Sequence, residues 1–399
     1  MDATDGRLGR GIVNDDKPQY DASSINVLSG LEAVRKRPGM YIGSTDERGL
    51  HNMLFEVAAR ALNHVVAGRA GQVEIVLLPA GGVRVADDGP GLAASTIRGA
   101  DGPDLESEMT RFLTGSTPRR REFVSDFGFG VAVANALSHR MTVEVRRDGT
   151  RWVQEYARGV ALTPVTKAGA ASGTGTTMAF WPDADIFTTT AYSFAALADR
   201  FRELALLNAT LDITLTDARD SGEPASVRFR YPGGVRDFVA VLDGEAREQP
   251  GGDPNIVGVE QEVPSIEGSV EVALRWRASG EPRIRSFANS EPTPGGGTHE
   301  VGFRDGVVAA VAAHARRRQP RPNDDGHTGI DATRVFEGLT AVVSVKLDEP
   351  VHEGCTRGRL GNPPVHAAVA RVVREHLCRW FDAHPDEAAV ILERTAEPT

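Results

Sequence analysis

Apolar residues recur at helical spacing through Leu50, Met53, Leu54, Val57, Ala58, Ala61, Leu62 and Val65, which predicts an amphipathic helix over residues 50–66. Its other face carries Asn52, Glu56, Arg60 and Asn63 at steps of four, four and three, so these polar groups lie on one line. Alternation predicts strands over residues 73–77 and 83–85, joined across residues 79–82, and the second runs into Asp87-Asp88-Gly89-Pro90-Gly91. A short helix is expected over residues 28–36, ended by Arg37-Pro38-Gly39. Residues 93–112 suit one or two short helices and residues 114–121 a loop, followed by an apolar helix over residues 131–137. A hairpin around Asp148-Gly149 pairs residues 141–147 with 151–156, and a further strand covers residues 177–181. From Phe201 onward, strands (211–215, 227–231, 270–276, 284–287, 340–346) alternate with helices (235–242, 301–316, 364–382). Loops are expected at residues 244–254 and 317–328.

Chemistry concentrates near the front of this pattern. Glycines 89 and 91 allow close backbone approach to a flat or anionic ligand, and Asp87 at a strand end can accept a hydrogen bond from an exocyclic amine. A polar hairpin turn would use the same residues. Gly128 and Gly130 precede the helix at 131, where backbone N–H groups can receive an anion.

Length and composition narrow the classes. A chain of 399 residues, 40% hydrophobic and 25% charged, suits about two globular domains. A net charge of −10 does not suit non-specific DNA binding, leaving DNA at most a weak or indirect partner through a local basic run at residues 313–321. That run fits a solvated helix end equally well. Cys355 and Cys378, outside any CxxC spacing, do not form a disulfide framework or zinc site. No stretch is long and apolar enough to span a membrane, and residues 1–20 are charged rather than signal-like, so the expected location is cytoplasmic.

The wording of the blocks adds a resemblance. INVLSGLEAVRKRPGMYIG at residues 25–43, Gly49-Leu50-His51, Phe55-Glu56-Val57, Asn135-Ala136-Leu137-Ser138, Thr174-Gly175-Thr176, Phe180-Trp181-Pro182, Leu207-Asn208, Gly233-Gly234, Gly297-Thr298-His299 and AVVSVK at residues 341–346 resemble, in order, the amino-terminal ATPase region of DNA gyrase B. The resemblance implies an α+β chain: a GHKL-type (Bergerat) ATPase sandwich over residues 20–200, with an N-terminal arm, then a ribosomal-S5-domain-2-like transducer over residues 201–393. Short tails would occupy residues 1–19 and 394–399. It further implies ATP and Mg²⁺ as ligands and a homodimer that closes on ATP; a gyrase subunit is a partner only in the non-hydrolysing role given below. Glu56 would act as general base or water orienter, with His51 and Arg357 assisting. ATP would meet Asp87, Gly89, Gly91, Thr176, Gly128, Gly130, Arg60 and, from the arm, Tyr20 and Ile25.

Several positions depart from the family pattern. Arg60 stands where the family places the asparagine that holds Mg²⁺, and a guanidinium has no acceptor for a metal. At that position it can pair with Glu56 at i,i+4 or reach the phosphates. Asn52 follows His51 where a second histidine is usual, and Cys355 and Arg357 stand for the glutamine and lysine of the loop that touches the terminal phosphate. The Gly-Gly-Leu-His lead-in to the lid is here Val124-Ser125-Asp126-Phe127, which removes two glycines and puts the Asp126 carboxylate near the phosphates. A carboxylate about 5 Å from a phosphate charge costs roughly 3 kcal/mol at an effective dielectric near 20, so Asp126 is either turned away or a substitute metal ligand. The resemblance ends near Thr399, before the region that partners DNA cleavage, so the expectation is either a fragment of a longer subunit or a stand-alone paralogue, with the altered site favouring the paralogue. Three roles fit: a slow or altered ATPase clamp; a non-hydrolysing partner, decoy or self-resistance factor of a gyrase; and a scaffold recruited for phosphoryl transfer.

Overall fold

The computed structural model describes residues 30–92, 105–111, 130–220, 223–244, 255–318, 330–354 and 357–395. The front half begins with two short helices, α1 (Leu31–Lys36) and α2 (Gly39–Ile42), and the long α3 (Glu47–Val66). Helix α3 starts a turn earlier than its apolar stripe because Asp46 caps it, its Oδ1 accepting from the N–H groups of Arg48 and Gly49 at 3.0 and 3.3 Å. There follow β1 (Val73–Leu77), β2 (Val83–Asp87), α4 (Leu105–Thr110), α5 (Val131–Ala136), β3 (Ser138–Arg147), β4 (Thr150–Ala157), β5 (Val160–Ala161), β6 (Thr166–Ala170) and β7 (Gly175–Pro182). Helix α6 (Phe194–Leu207) then leads to β8 (Ile213–Asp217) and β9 (Ala225–Phe229).

These strands form one nine-stranded sheet in the order β5-β4-β3-β7-β2-β1-β8-β9, with β6 paired to β4. Every pairing is antiparallel except β1 with β8. Period-two alternation gives the sheet one apolar face: Val73, Ile75, Leu77, Val83, Val85, Met141, Val143, Val145, Met178 and Phe180 are buried with the stripe of α3. The result is a two-layer α/β sandwich. The expected division at residue 201 falls inside α6, and the two strands after it hydrogen-bond into the first sheet. Sheet membership would therefore draw the break after Phe229.

The second half contains α7 (Val235–Leu242), β10 (Val257–Val263), β11 (Gly268–Trp276), β12 (Arg283–Ala288), β13 (Glu291–Pro292), α8 (Thr298–Arg318), β14 (Leu339–Leu347), α9 (Pro363–Ala383) and α10 (Pro385–Thr395). Its five strands run β10-β11-β14-β12-β13, with β12 parallel to β14. Strand β14 is buried on both faces, which explains its unbroken apolar run: Ala341, Val343 and Val345 meet the core of α8 and α9, while Val342 faces Phe238 and Val239 of α7 and Phe287. Arg317 and Arg318 at the end of α8 are tied down, the first to Asp382 at 3.1 Å and the second to the Pro385 carbonyl at 3.2 Å. No helix among the described residues is long and apolar enough to cross a membrane.

Candidate active site

Helix α3 and the end of β2 carry the candidate residues Glu56, Arg60 and Asp87. Glu56, on the polar line of α3, is buried, and its Oε2 accepts from the Gly130 N–H, just ahead of α5, at 3.0 Å. Gly130 sits at φ 71°, a conformation glycine adopts at no steric cost. Thus Glu56 and Gly130, assigned from the sequence, are brought together. Gly128 and Asp126 lie outside the described residues, as do Tyr20, Ile25 and Cys355.

Asp87 closes β2 and is buried. Its Oδ1 accepts from the Gly89 N–H at 3.0 Å, and its Oδ2 lies 3.4 Å from Arg60 Nη1. Across the sheet Asp87 is in register with Thr176 of β7, whose buried Oγ1 has no hydrogen-bond partner among the described residues. His64 Nδ1 is likewise buried without a hydrogen-bond partner, 3.8 Å from Asp87 Oδ1. A Cβ added to Gly89 would stand 2.8 Å from both Asp87 Oδ1 and His64 Nδ1, so only glycine fits. Gly91, at φ +69°, passes close to the Arg146 carbonyl.

Burial pushes the Asp87 carboxyl up, but the His64 ring, the Arg60 charge and the Gly89 N–H together outweigh it and hold it below the usual carboxylate value. Asp87 is therefore an ionised acceptor at neutral pH. Burial also draws Arg60 below the ordinary guanidinium value, against the favourable charges of Asp87 and Glu108 on α4.

Three expectations change. Arg60 does not find its charge partner in Glu56; its guanidinium meets Asp87. His51, expected to assist Glu56, is occupied elsewhere: its Nε2 accepts from the Ser193 N–H at 3.1 Å and its ring stacks on Tyr192. The physical reason is helical phase, since only residues three or four apart share a face, and position 51 is five from Glu56. Asn52, which is in phase, donates from Nδ2 to the Ile42 carbonyl at 3.0 Å. Arg357 adopts φ 53° and acts electrostatically on Glu291 of β13, a carboxylate paired with Arg200 of α6 at 2.8 Å. This places Arg357 beside the junction of the two halves. His64 was missed by the sequence reading, although it stands one turn beyond Arg60 on α3 and that spacing was a usable signal.

Asp126, the expected substitute for the asparagine that position 60 lacks, lies outside the described residues. Position 60 offers a guanidinium, and no group of three or more His, Cys, Asp or Glu among the described residues could hold a metal ion.

Two family models match: the histidine kinase-, DNA gyrase B- and HSP90-like ATPase over residues 45–186, and DNA gyrase B over residues 234–398. DNA gyrase B of Streptomyces coelicolor is 42% identical over 95% of this chain and 57% of its own length. The novobiocin-sensitive DNA gyrase B of Streptomyces niveus is 41% identical over 95% of this chain and 58% of its own. The chain thus spans less than three fifths of these relatives. Among solved structures, the 43K ATPase domain of Thermus thermophilus gyrase B, in complex with an aminocoumarin, superposes with a TM-score of 0.75 at 30% identity, covering 91% of this chain and 93% of that one. With a GHKL ATPase half, a gyrase B transducer half and these relatives, the chain belongs to the DNA gyrase B family and corresponds to its ATPase and transducer region.

Proposed function

We propose that the chain binds ATP between α3 and the turn after β2 and hydrolyses it slowly, its transducer half carrying nucleotide state to closure of a homodimer. The observation that carries this is the buried Glu56 carboxylate held 3.0 Å from the Gly130 N–H. In this reading Asp87 accepts from the exocyclic amine of the base, and Thr176 Oγ1 gains a partner at the same edge. Glu56 takes a proton from a water whose oxygen attacks the γ-phosphorus, and ADP leaves with the electron pair of the broken P–O bond. Arg60 cannot itself ligate Mg²⁺, so the steps rest on the chain's own residues.

A second reading is favoured by Arg60 itself: a binding module without turnover that pairs with a gyrase subunit, as partner or decoy. Phosphate release on one preparation, with and without Mg²⁺, separates the two. We expect slow release by the wild type, lowered about 10²-fold or more in Glu56→Gln and raised in Arg60→Asn. Binding with no release by either the wild type or Arg60→Asn would overturn the ATPase reading and leave the second.

A further inference from the structure

The base end of the pocket already holds an occupant. Around Asp87 the structure gathers an ionised acceptor, two buried polar atoms without hydrogen-bond partners among the described residues (Thr176 Oγ1 and His64 Nδ1), and a glycine whose missing Cβ leaves the approach open. The group that reaches into this cluster is the Arg60 guanidinium, nearly buried yet joined to Asp87 by a single contact of 3.4 Å. A guanidinium carries five N–H donors in a planar fork and usually meets a carboxylate through two short bonds. Here it offers one long one. An N–H on Asp87 Oδ2 is the same kind of contact that the exocyclic amine of a base would bring.

One helical turn earlier, Glu56 Oε2 accepts from the Gly130 amide at 3.0 Å.

We propose that Arg60 is an intramolecular surrogate for the base, which an adenine nucleotide must displace from Asp87 before it can bind. The proposal rests on the nucleotide-binding reading above. It makes Arg60 a residue that sets affinity at the base end, in place of the phosphate-end ligand its position along the helix suggested. Displacement moves the guanidinium off Asp87 Oδ2 and leaves the Gly89 N–H bond to Oδ1 intact. Bound adenine also supplies partners to the orphaned Thr176 and His64 atoms.

The test is equilibrium binding of ATP, adenosine and inorganic tripolyphosphate to the full chain, in wild type, Arg60→Asn, Arg60→Ala and Arg60→Lys. Melting curves verify that each variant is folded. We expect Arg60→Asn and Arg60→Ala to bind ATP and adenosine about tenfold more tightly, the size of one exchanged charge-assisted hydrogen bond. Tripolyphosphate binding should stay unchanged, and Arg60→Lys, which keeps the charge but loses the fork, should fall between. Weaker binding of both ATP and tripolyphosphate in Arg60→Ala would overturn the proposal and make Arg60 a phosphate ligand. ATP affinity that shifts less than about threefold would overturn it in favour of an ordinary structural ion pair. If no form, Arg60→Asn included, binds ATP, the nucleotide-binding reading itself falls and takes this proposal with it.

Discussion

Two buried arginine–aspartate pairs, one in each half, use the same chemistry for different ends. Asp243, just past α7, is as deeply buried as Asp87, and its partner Arg275 is slightly more buried than Arg60. Yet Asp243 is bound from several sides: Arg275 donates to Oδ2 through both Nε, at 2.9 Å, and Nη2. Thr340 Oγ1 donates to Oδ1 at 2.5 Å, Arg277 Nε lies 3.3 Å from the same oxygen, and Arg277 in turn donates to Thr340 at 3.0 Å. That network ties the end of α7 to β11 and β14. The Arg60–Asp87 pair has one contact of 3.4 Å, with orphaned polar atoms beside it. Burial alone does not distinguish a structural ion pair from a displaceable one; the number of satisfied lone pairs does.

Removing the carboxylate charge sharpens that contrast most. Asp243→Asn should cost about 3–5 kcal/mol in urea unfolding, because Arg275 and Arg277 are left as uncompensated buried charges. An equal loss in Asp87→Asn would erase the distinction. The next largest effect belongs to an uncharged buried group. His299 of α8 is fully buried, donates to or accepts from Thr293 Oγ1 at 3.0 Å, and is pushed down to about 4, chiefly by burial and then by His352. The folded pKa lies below the unfolded value of 6.5, so between the two the unfolded chain holds more protons. Stability should therefore be complete above pH 6.5 and fall by about 3 kcal/mol as pH drops towards 4, since one pKa unit is about 1.4 kcal/mol. Unfolding midpoints across that range, compared with His299→Gln, measure the slope, which the variant should flatten. Asp87, with its pKa lowered, loses its contribution only at more acid pH, below the ordinary carboxylate range. The smallest effect should be the stability change of Arg60→Asn, under about 1 kcal/mol, as expected for a pair held by one long contact. A larger loss would make it another Asp243.

Much of this was legible in the residues. The stripe from Leu50 to Val65 and the alternation of β1 and β2 placed Glu56 and Asp87, because both periods are direct readouts of which side faces a core. The chemistry at position 60 was also readable as a cation that cannot ligate a metal. Its direction was not, since a helical line shows which groups share a face and not which distant carboxylate a long side chain will reach. Strands β8 and β9 read as strands, but alternation says nothing about which sheet a strand joins; only the parallel register of Val73 with Ile213 does. Helix α6 went unread because its periodic Leu197, Phe201 and Leu204 straddle the point where composition suggested a boundary. Strand β10 carries Glu260 and Glu262 among its valines and gave too weak an alternation.

Helix α6 is also a mechanical element. Its 14 residues make a rod about 21 Å long at 1.5 Å rise per residue. One end is pinned to the helix bearing Glu56 and Arg60 through the Ser193 N–H and His51. Its middle lies in the first core, through Leu197, Phe201 and Leu204, and its far end, Leu206 and Leu207, in the cluster with Phe238, Phe287 and Val342. Arg200 and Glu203 clasp Glu291 and Arg285 across the junction at 2.8 and 2.6 Å. A beam embedded at both ends cannot slide in one core without tearing contacts in the other, so the two halves share one load path.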